Sequence, residues 1–298
     1  MMKILIADGL SKDGQKILTN AGIDCHIEHY EADELIKVIP EYDAILVRSA
    51  TKVPKGLIDA GKKLKAIARG GAGIDNIDHV YAKTKGIPVL NTPGANSASV
   101  AELVLSHIFA LARFIPQANL TLREGKWEKK HYKGFELDGK ILGIAGFGKI
   151  GQILAGKAIA LGMTVLAYDV MDIKTDLNVK MVDFDTLLAE SDILSLHTPK
   201  LAKPLIAKEE LDKMKDGACL INCARGGVAD EEAVLEALNS GKLFGLGTDV
   251  FVEEPTKNIA LISHPGVSAT PHIGASTVEA QNRVGIEIAN KIVNTLNA

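Results

Sequence analysis

Short aliphatic runs alternate with amphipathic helical stretches along most of the chain, and no other feature restricts the fold as much. KILIAD is followed by SKDGQKILTNAG and IDCHIEH by ADELIKVIPEY, with DAILVRS, LKAIARG and IPVLN completing a first series. Such alternation builds βαβ units and a parallel sheet covered by helices. From Lys140 the pattern restarts as ILGIAGFGKIG, MTVLAYD, VKMVD, DILSLHTP, GACLINCARGG, LFGLGTDVF and VSATPHIG. These segments predict a second parallel sheet of about six or seven strands. Between the two series, NSASVAELVLSHIFALARFIPQANLTLREG reads as one long helix with a Ser or Asn N-cap. KWEKKHYKGFELDG after it is polar, carries the single tryptophan Trp127, and reads as an arm or linker. After Gly274, ASTVEAQNRVGIEIANKIVNTLN predicts a further long amphipathic helix.

A chain of 298 residues suits two compact units rather than one. Apolar residues at 47% and charged residues at 24% are those of a folded chain, and a net charge of -3 provides no basic footprint for nucleic acid. The N-terminal apolar run is too short for a signal-peptide core, and no stretch has the length of a membrane span, so a cytoplasmic protein is expected. Cys25, Cys219 and Cys223 show no metal or redox spacing, and the latter two read as buried thiols without chemistry; no metal site is expected.

In open α/β sheets ligands bind at the carboxyl ends of the strands. GIAGFGKIG places Gly146, Gly148 and Gly151 as GxGxxG between a strand and a helix, with Phe147, Lys149 and Ile150 between them. The glycines suit a tight turn, a backbone close to a pyrophosphate, and close helix–strand packing. MTVLAYD then ends at Asp169, where a carboxylate would accept ribose hydroxyls; Val170, Met171 and Asp172 follow with no arginine, which favours NAD over NADP. The bland alternative is a glycine-rich turn ending beside an ordinary surface acid.

NCARGG delivers Arg225 into two glycines at another strand end. Its planar fork suits a carboxylate, although pairing with Asp230 would explain it equally. His197 in LSLHTP and His272 in SATPHIG both stand at strand ends beside proline, and either could carry a proton. Asp249, Glu253 and Glu254 in GTDVFVEEP are candidate acidic partners, and spacing does not choose among them. With the GxGxxG segment in mid-chain, the chain crosses between units twice, and a cleft between them is the natural place for a site.

Taken in order, VRSATKV, GAGIDNID, NTPGANSASVAEL, GKWEKKHYKGFEL, GFGKIG, LHTP, NCARGG, DVFVEEP and TPHIGAST resemble the D-isomer-specific 2-hydroxyacid dehydrogenase family, most closely its phosphoglycerate dehydrogenase branch. The resemblance implies an α/β fold of two doubly wound parallel-sheet domains. A flavodoxin-like substrate domain of residues 1–95 plus 277–298 would hold an inserted Rossmann NAD-binding domain, residues 96–276, with a dimerisation arm at about 96–140. It further implies catalytic Arg225, Glu254 and His272, with His197, Thr198, Pro199, Cys223, Ala224, Asp249 and Gly274 joining the glycine loop around NAD. Arg48, Ser49, Arg69, Gly70, Gly71, Ala72 and Gly73 would bind substrate, with Asn96 as a further candidate.

The implied reaction is NAD-dependent oxidation of D-3-phosphoglycerate, as in serine biosynthesis. Arg225 would hold the carboxylate, and His272, paired with Glu254, would take the hydroxyl proton. Arg48 and Arg69, with Lys129, Lys130 or His131 of a second subunit, would meet the phosphate. The family implies a homodimer, with a tetramer as the larger option, and no regulatory domain, and hence no serine feedback through one, is expected after the final helix. The competing expectations are reduction of hydroxypyruvate, glyoxylate or pyruvate, and a dinucleotide-sensing binding protein.

Overall fold

A computed structural model describes residues 1–297 of the chain. It divides into two compact units, Met1–Asn96 with Ala275–Ala298 and Ser97–Gly274. The first contains strands β1 (Lys3–Ile6), β2 (Asp24–Ile27), β3 (Ala44–Val47), β4 (Ala66–Arg69) and β5 (Val89–Leu90). Helices α1 (Lys12–Asn20), α2 (Ala32–Val38), α3 (Lys55–Ala60) and α4 (His79–Thr84) connect them. The second unit opens with α5 (Ser97–Ala112) and α6 (Ile115–Arg123) and continues with β6 (Ile141–Ala145), α7 (Lys149–Ala160), β7 (Thr164–Tyr168), β8 (Val179–Met181), α8 (Phe184–Glu190) and β9 (Ile193–Leu196). It closes with α9 (Lys208–Lys213), β10 (Ala218–Asn222), α10 (Glu231–Ser240), β11 (Leu243–Thr248), α11 (Ile259–Ile262) and β12 (Val267–Ala269). Helix α12 (Val278–Leu296) returns to the first unit.

Both sheets are parallel throughout, in the orders β2-β1-β3-β4-β5 and β12-β11-β10-β9-β6-β7-β8. Central strands covered on both faces lose the polar alternation of half-exposed strands, and AILV of β3 and ACLIN of β10 are accordingly buried at every position. In the first unit α1 and α12 cover one face, where Leu18, Ile288 and Ile292 meet Ile4, Ile6 and Leu46. In the second, α5 and α7 supply Val104, Ile108 and Leu154 to one face. Helix ends follow local chemistry: Ser11 accepts from Gly14 N at the start of α1, Asp230 accepts from two amides of α10, and Gly241 ends α10 at φ 77°.

The single long helix expected after Asn96 is two helices, bent by 62°. Pro116 has no N–H for the Ala112 carbonyl four residues back, and its ring would clash there in a continuous helix. Phe114 instead takes φ 51°, and Ala112 O accepts from Phe135 N at 3.1 Å. Gly134 makes that approach possible, since a Cβ there would lie 1.9 Å from the same oxygen. The expected arm, KWEKKHYKGFELDG, holds one 3-10 turn at Lys129–His131 and exposes Trp127. Among the described residues no single helix is long and apolar enough to cross a membrane.

Candidate active site

In the seven-stranded sheet the chain runs from β6 outward through β7 and β8, then returns to lay β9 on the other side of β6. The carboxyl ends of β6 and β9 therefore flank a topological switch point. Gly146 stands there at φ 93°, and a Cβ on it would come within 2.8 Å of the His197 carbonyl. Gly151 packs so closely that a Cβ would meet Gly146 O at 2.7 Å. Gly148 differs from both: its φ of -74° suits any residue, and a Cβ would find nothing within 4 Å. No side chain caps α7 there, so its N-terminus faces open space where a phosphate can approach the backbone.

Asp169 closes this loop from the neighbouring strand. Its Oδ2 accepts from Phe147 N at 2.7 Å and its Oδ1 from Met171 N at 2.9 Å, so it ties the glycine turn to the end of β7. Beside it a cavity of about 550 Å³ is lined by Asp169, Val170, Met171 and Lys180. Across the switch point, His197 Nε2 and Ser195 Oγ lie 2.8 Å apart, while His197 Nδ1 and Thr198 Oγ1 are buried without a protein partner. Burial holds the His197 pKa down to about 4, so its ring is neutral near pH 7. Orphaned polar atoms of this kind call for a ligand or water. With the open cradle at Gly148, they fit a dinucleotide.

Further along the same edge, β10 leads into the Arg225 turn. Asn222 fixes it from within, accepting from Ala224 N at 3.1 Å and donating to Arg225 O at 3.0 Å. Arg225 Nη1 donates to Ala224 O at 2.7 Å, and Asp230 is engaged in capping α10. Burial pushes the Cys223 thiol up and Cys219 up to about 12, which keeps both unreactive.

The turns after β11 and β12 bring the acid and histidine together. His272 Nδ1 lies 2.7 Å from Glu254 Oε2, and Glu254 Oε1 accepts from Phe251 N at 3.1 Å. His272 is left-handed, at φ 53°. That conformation costs roughly 1–2 kcal/mol in a residue with a Cβ, whereas an exposed ion pair contributes about 0.2–1 kcal/mol. At side-chain exposures of 40% and 38% the pair is of the exposed kind, so it does not by itself offset the cost of the turn. Asp249 holds it: buried at 1% exposure, its carboxylate accepts from Thr270 Oγ1 at 2.6 Å, Ile273 N at 2.8 Å and Gly274 N at 2.8 Å. Glu253, the third acid considered, pairs with Lys257 at 2.5 Å.

The first unit has its own strand-end site, between β1 and β3. Asp8, Ser11, Arg48, Gly70 and Gln281 line a cavity of about 310 Å³. The segment bearing Arg48 and Ser49 is clamped on both sides: Asp8 accepts from Arg48 N at 2.6 Å and Thr51 N at 3.1 Å, and Asn76 Nδ2 donates to Arg48 O and Thr51 O at 2.7 and 2.6 Å. Arg69 ends β4, and Gly70, Gly71, Ala72 and Gly73 form the turn beyond it, with Gly71 O accepting from Thr92 N and Ala72 O from Asn91 Nδ2. Sequence reasoning singled out neither Asp8 nor Gln281; a lone acid after a strand and a glutamine on a helix have no distinguishing pattern. Lys129, Lys130 and His131 are exposed on their 3-10 turn, with His131 Nδ1 2.7 Å from Glu128.

Residues 105–274 match the family model for the NAD binding domain of the D-isomer specific 2-hydroxyacid dehydrogenases. A hydroxypyruvate reductase of Thermotoga maritima is 53% identical over 99% of this chain and 98% of its own length. A D-3-phosphoglycerate dehydrogenase of Archaeoglobus fulgidus is 44% identical over 98% of this chain, which spans only 57% of that protein. Among solved structures, a D-lactate dehydrogenase of Aquifex aeolicus complexed with NAD and lactic acid superposes with a TM-score of 0.85 at 30% identity, covering 99% of this chain and 95% of its own. The parallel sheets, the dinucleotide cradle and these likenesses agree, and the chain belongs to the D-isomer specific 2-hydroxyacid dehydrogenase family, as an NAD-dependent oxidoreductase.

Proposed function

We propose that the chain reduces an unphosphorylated 2-oxoacid of the hydroxypyruvate type to its D-2-hydroxyacid, and oxidises the product in reverse. The observation that carries the chemistry is the His272–Glu254 pair at 2.7 Å, on the same sheet edge as the Gly148 cradle and Arg225. NAD, when bound, supplies the hydride acceptor and in its reduced form the donor. Arg225 binds the substrate carboxylate through its fork and orients the 2-oxygen. His272 gives a proton to that oxygen in reduction and removes it in oxidation, through Nε2, because Nδ1 faces Glu254. Glu254 orients the ring through its hydrogen bond with Nδ1, and Arg48, Ser49 and Gly70 of the first unit are the further candidate substrate residues.

The choice of acid is supported by the likeness to the hydroxypyruvate reductase over nearly the full length of both chains. Oxidation of D-3-phosphoglycerate is the second reading, favoured by the phosphoglycerate dehydrogenases at 41–44% identity and by Arg48 in the first unit's cavity. Comparing kcat/KM for NADH-dependent reduction of hydroxypyruvate, glyoxylate, pyruvate and 3-phosphohydroxypyruvate decides between them. Preference for hydroxypyruvate by about tenfold or more supports the first reading. A comparable preference for the phosphorylated acid replaces it with the second.

A further inference from the structure

His107 sits at the head of the apolar run IFALA of α5 and is only 2% exposed, yet every polar atom of its ring is engaged. Nδ1 lies 2.9 Å from Ser268 Oγ and Nε2 lies 3.1 Å from Thr270 Oγ1. Thr270 Oγ1 in turn lies 2.6 Å from Asp249 Oδ1. A carboxylate offers only acceptors, so the single hydroxyl hydrogen of Thr270 goes to Asp249. Thr270 Oγ1 must then accept from His107 Nε2–H, which leaves Nδ1 to accept from Ser268 Oγ–H. Every hydrogen in the chain from Ser268 to Asp249 thereby has one direction.

The sheet is shaped to receive this ring. A Cβ on Gly247 of β11 would stand 2.7 Å from His107 Cβ, and one on Gly245 would stand 2.9 Å from Leu111, one helical turn further along α5. Burial holds His107 below its ordinary pKa, opposed by the nearby charge of Asp249, and so keeps the ring in the neutral form that this pattern requires. The far end of the chain is the Asp249 carboxylate, which receives the amides of Ile273 and Gly274 on the turn that holds His272 at φ 53°.

We propose that His107 is a positioning residue: through Thr270 and Asp249 it fixes the 270–274 turn, and with it the placement of His272 against Glu254. The proposal rests on the reading of His272 as the proton carrier. A histidine that merely fills the core would affect stability alone. One that positions the turn affects turnover while leaving the dinucleotide cradle, several strands away, as it was.

The test compares His107→Leu and Thr270→Val with the unaltered enzyme, using the best 2-oxoacid of the substrate panel and NADH. Both variants are expected to lower kcat by about ten- to a hundredfold, a larger change than in the NADH Kd or the oxoacid KM. His107→Gln, whose amide can donate to Thr270 and accept from Ser268, is expected to recover most of kcat. Thr270→Val removes one hydroxyl at constant shape, so it decides the matter even where His107→Leu yields no folded protein. His272→Ala is run alongside. If it keeps the original kcat, the proton-carrier reading falls and the positioning role with it. If it loses activity while Thr270→Val keeps full kcat and shows only a lower Tm, the positioning role alone is overturned.

Discussion

Gly226→Ala is a one-carbon test of how tightly the candidate site is assembled. A Cβ on Gly226 would lie 1.8 Å from the Phe251 carbonyl oxygen, 2.2 Å from its carbon and 2.8 Å from Val252 N. All three atoms are backbone, so no side-chain rotation relieves the overlap. The turns after β10 and β11 must part by more than about 1 Å to reach an ordinary contact. One of them carries Arg225 and the other carries Glu254, whose Oε1 is tied to Phe251 N. A displacement of about 1 Å at a reacting centre can lower the rate by roughly a hundredfold, and overpacking adds a loss of about 1–3 kcal/mol in stability. Steady-state reduction of the preferred 2-oxoacid, with Tm and NADH titration in parallel, measures both. The NADH Kd is expected to change less than kcat/KM, because the Gly148 cradle lies across intervening strands. A variant with kcat/KM within about threefold of the original would refute the argument that Arg225 and Glu254 work in fixed register.

Two further outcomes follow from the glycine loop and the histidine beside it. Gly148→Ala meets no protein atom within 4 Å and no adverse φ, so its Tm should be unchanged while the Kd for NAD rises by about tenfold or more; equal affinity would remove the open cradle from the cofactor site. His197 is held neutral by burial, with its pKa lowered to about 4, so the unfolded chain binds its proton first as pH falls. The stability owed to the neutral ring is complete above the ordinary value near 6.5 and declines as pH drops toward the folded value. By pH 5 the loss is about 2 kcal/mol, which His197→Gln should not show in a pH series of Tm; parallel curves would contradict it.

Both parallel sheets were legible in the sequence, because buried runs such as AILV and ACLIN are signals local to a few residues. The break between α5 and α6 was not read, although Pro116 stood in view: a run apolar on both sides of the proline looks continuous until the freed Ala112 carbonyl finds Phe135 N. The residues of the site were visible as strand-end motifs, but spacing did not pair them; the family resemblance paired His272 with Glu254, and the two lie 2.7 Å apart. His197 and His272 have the same local setting, and Asp249, Glu253 and Glu254 lie within six residues of one another. Which acid meets which histidine depends on how two separate turns fold back, and that is a property of the sheet edge. His107 was invisible for a different reason: its partners at Ser268 and Thr270 are more than 160 residues away in the chain.

The return of α12 to the first unit has a consequence for the order of assembly. Residues 97–274 are continuous, so the second unit has everything it needs as soon as it leaves the ribosome. The first unit is begun earlier but has to wait: Ile288, Ala289, Ile292 and Leu296 cover one face of its sheet, and they follow the whole of the second unit in the chain. Until then Ile4, Ile6, Leu46 and Ala66 stand partly uncovered on a nascent chain. Of these two units, the one begun first is thus completed second, and an apolar sheet face stays open in between.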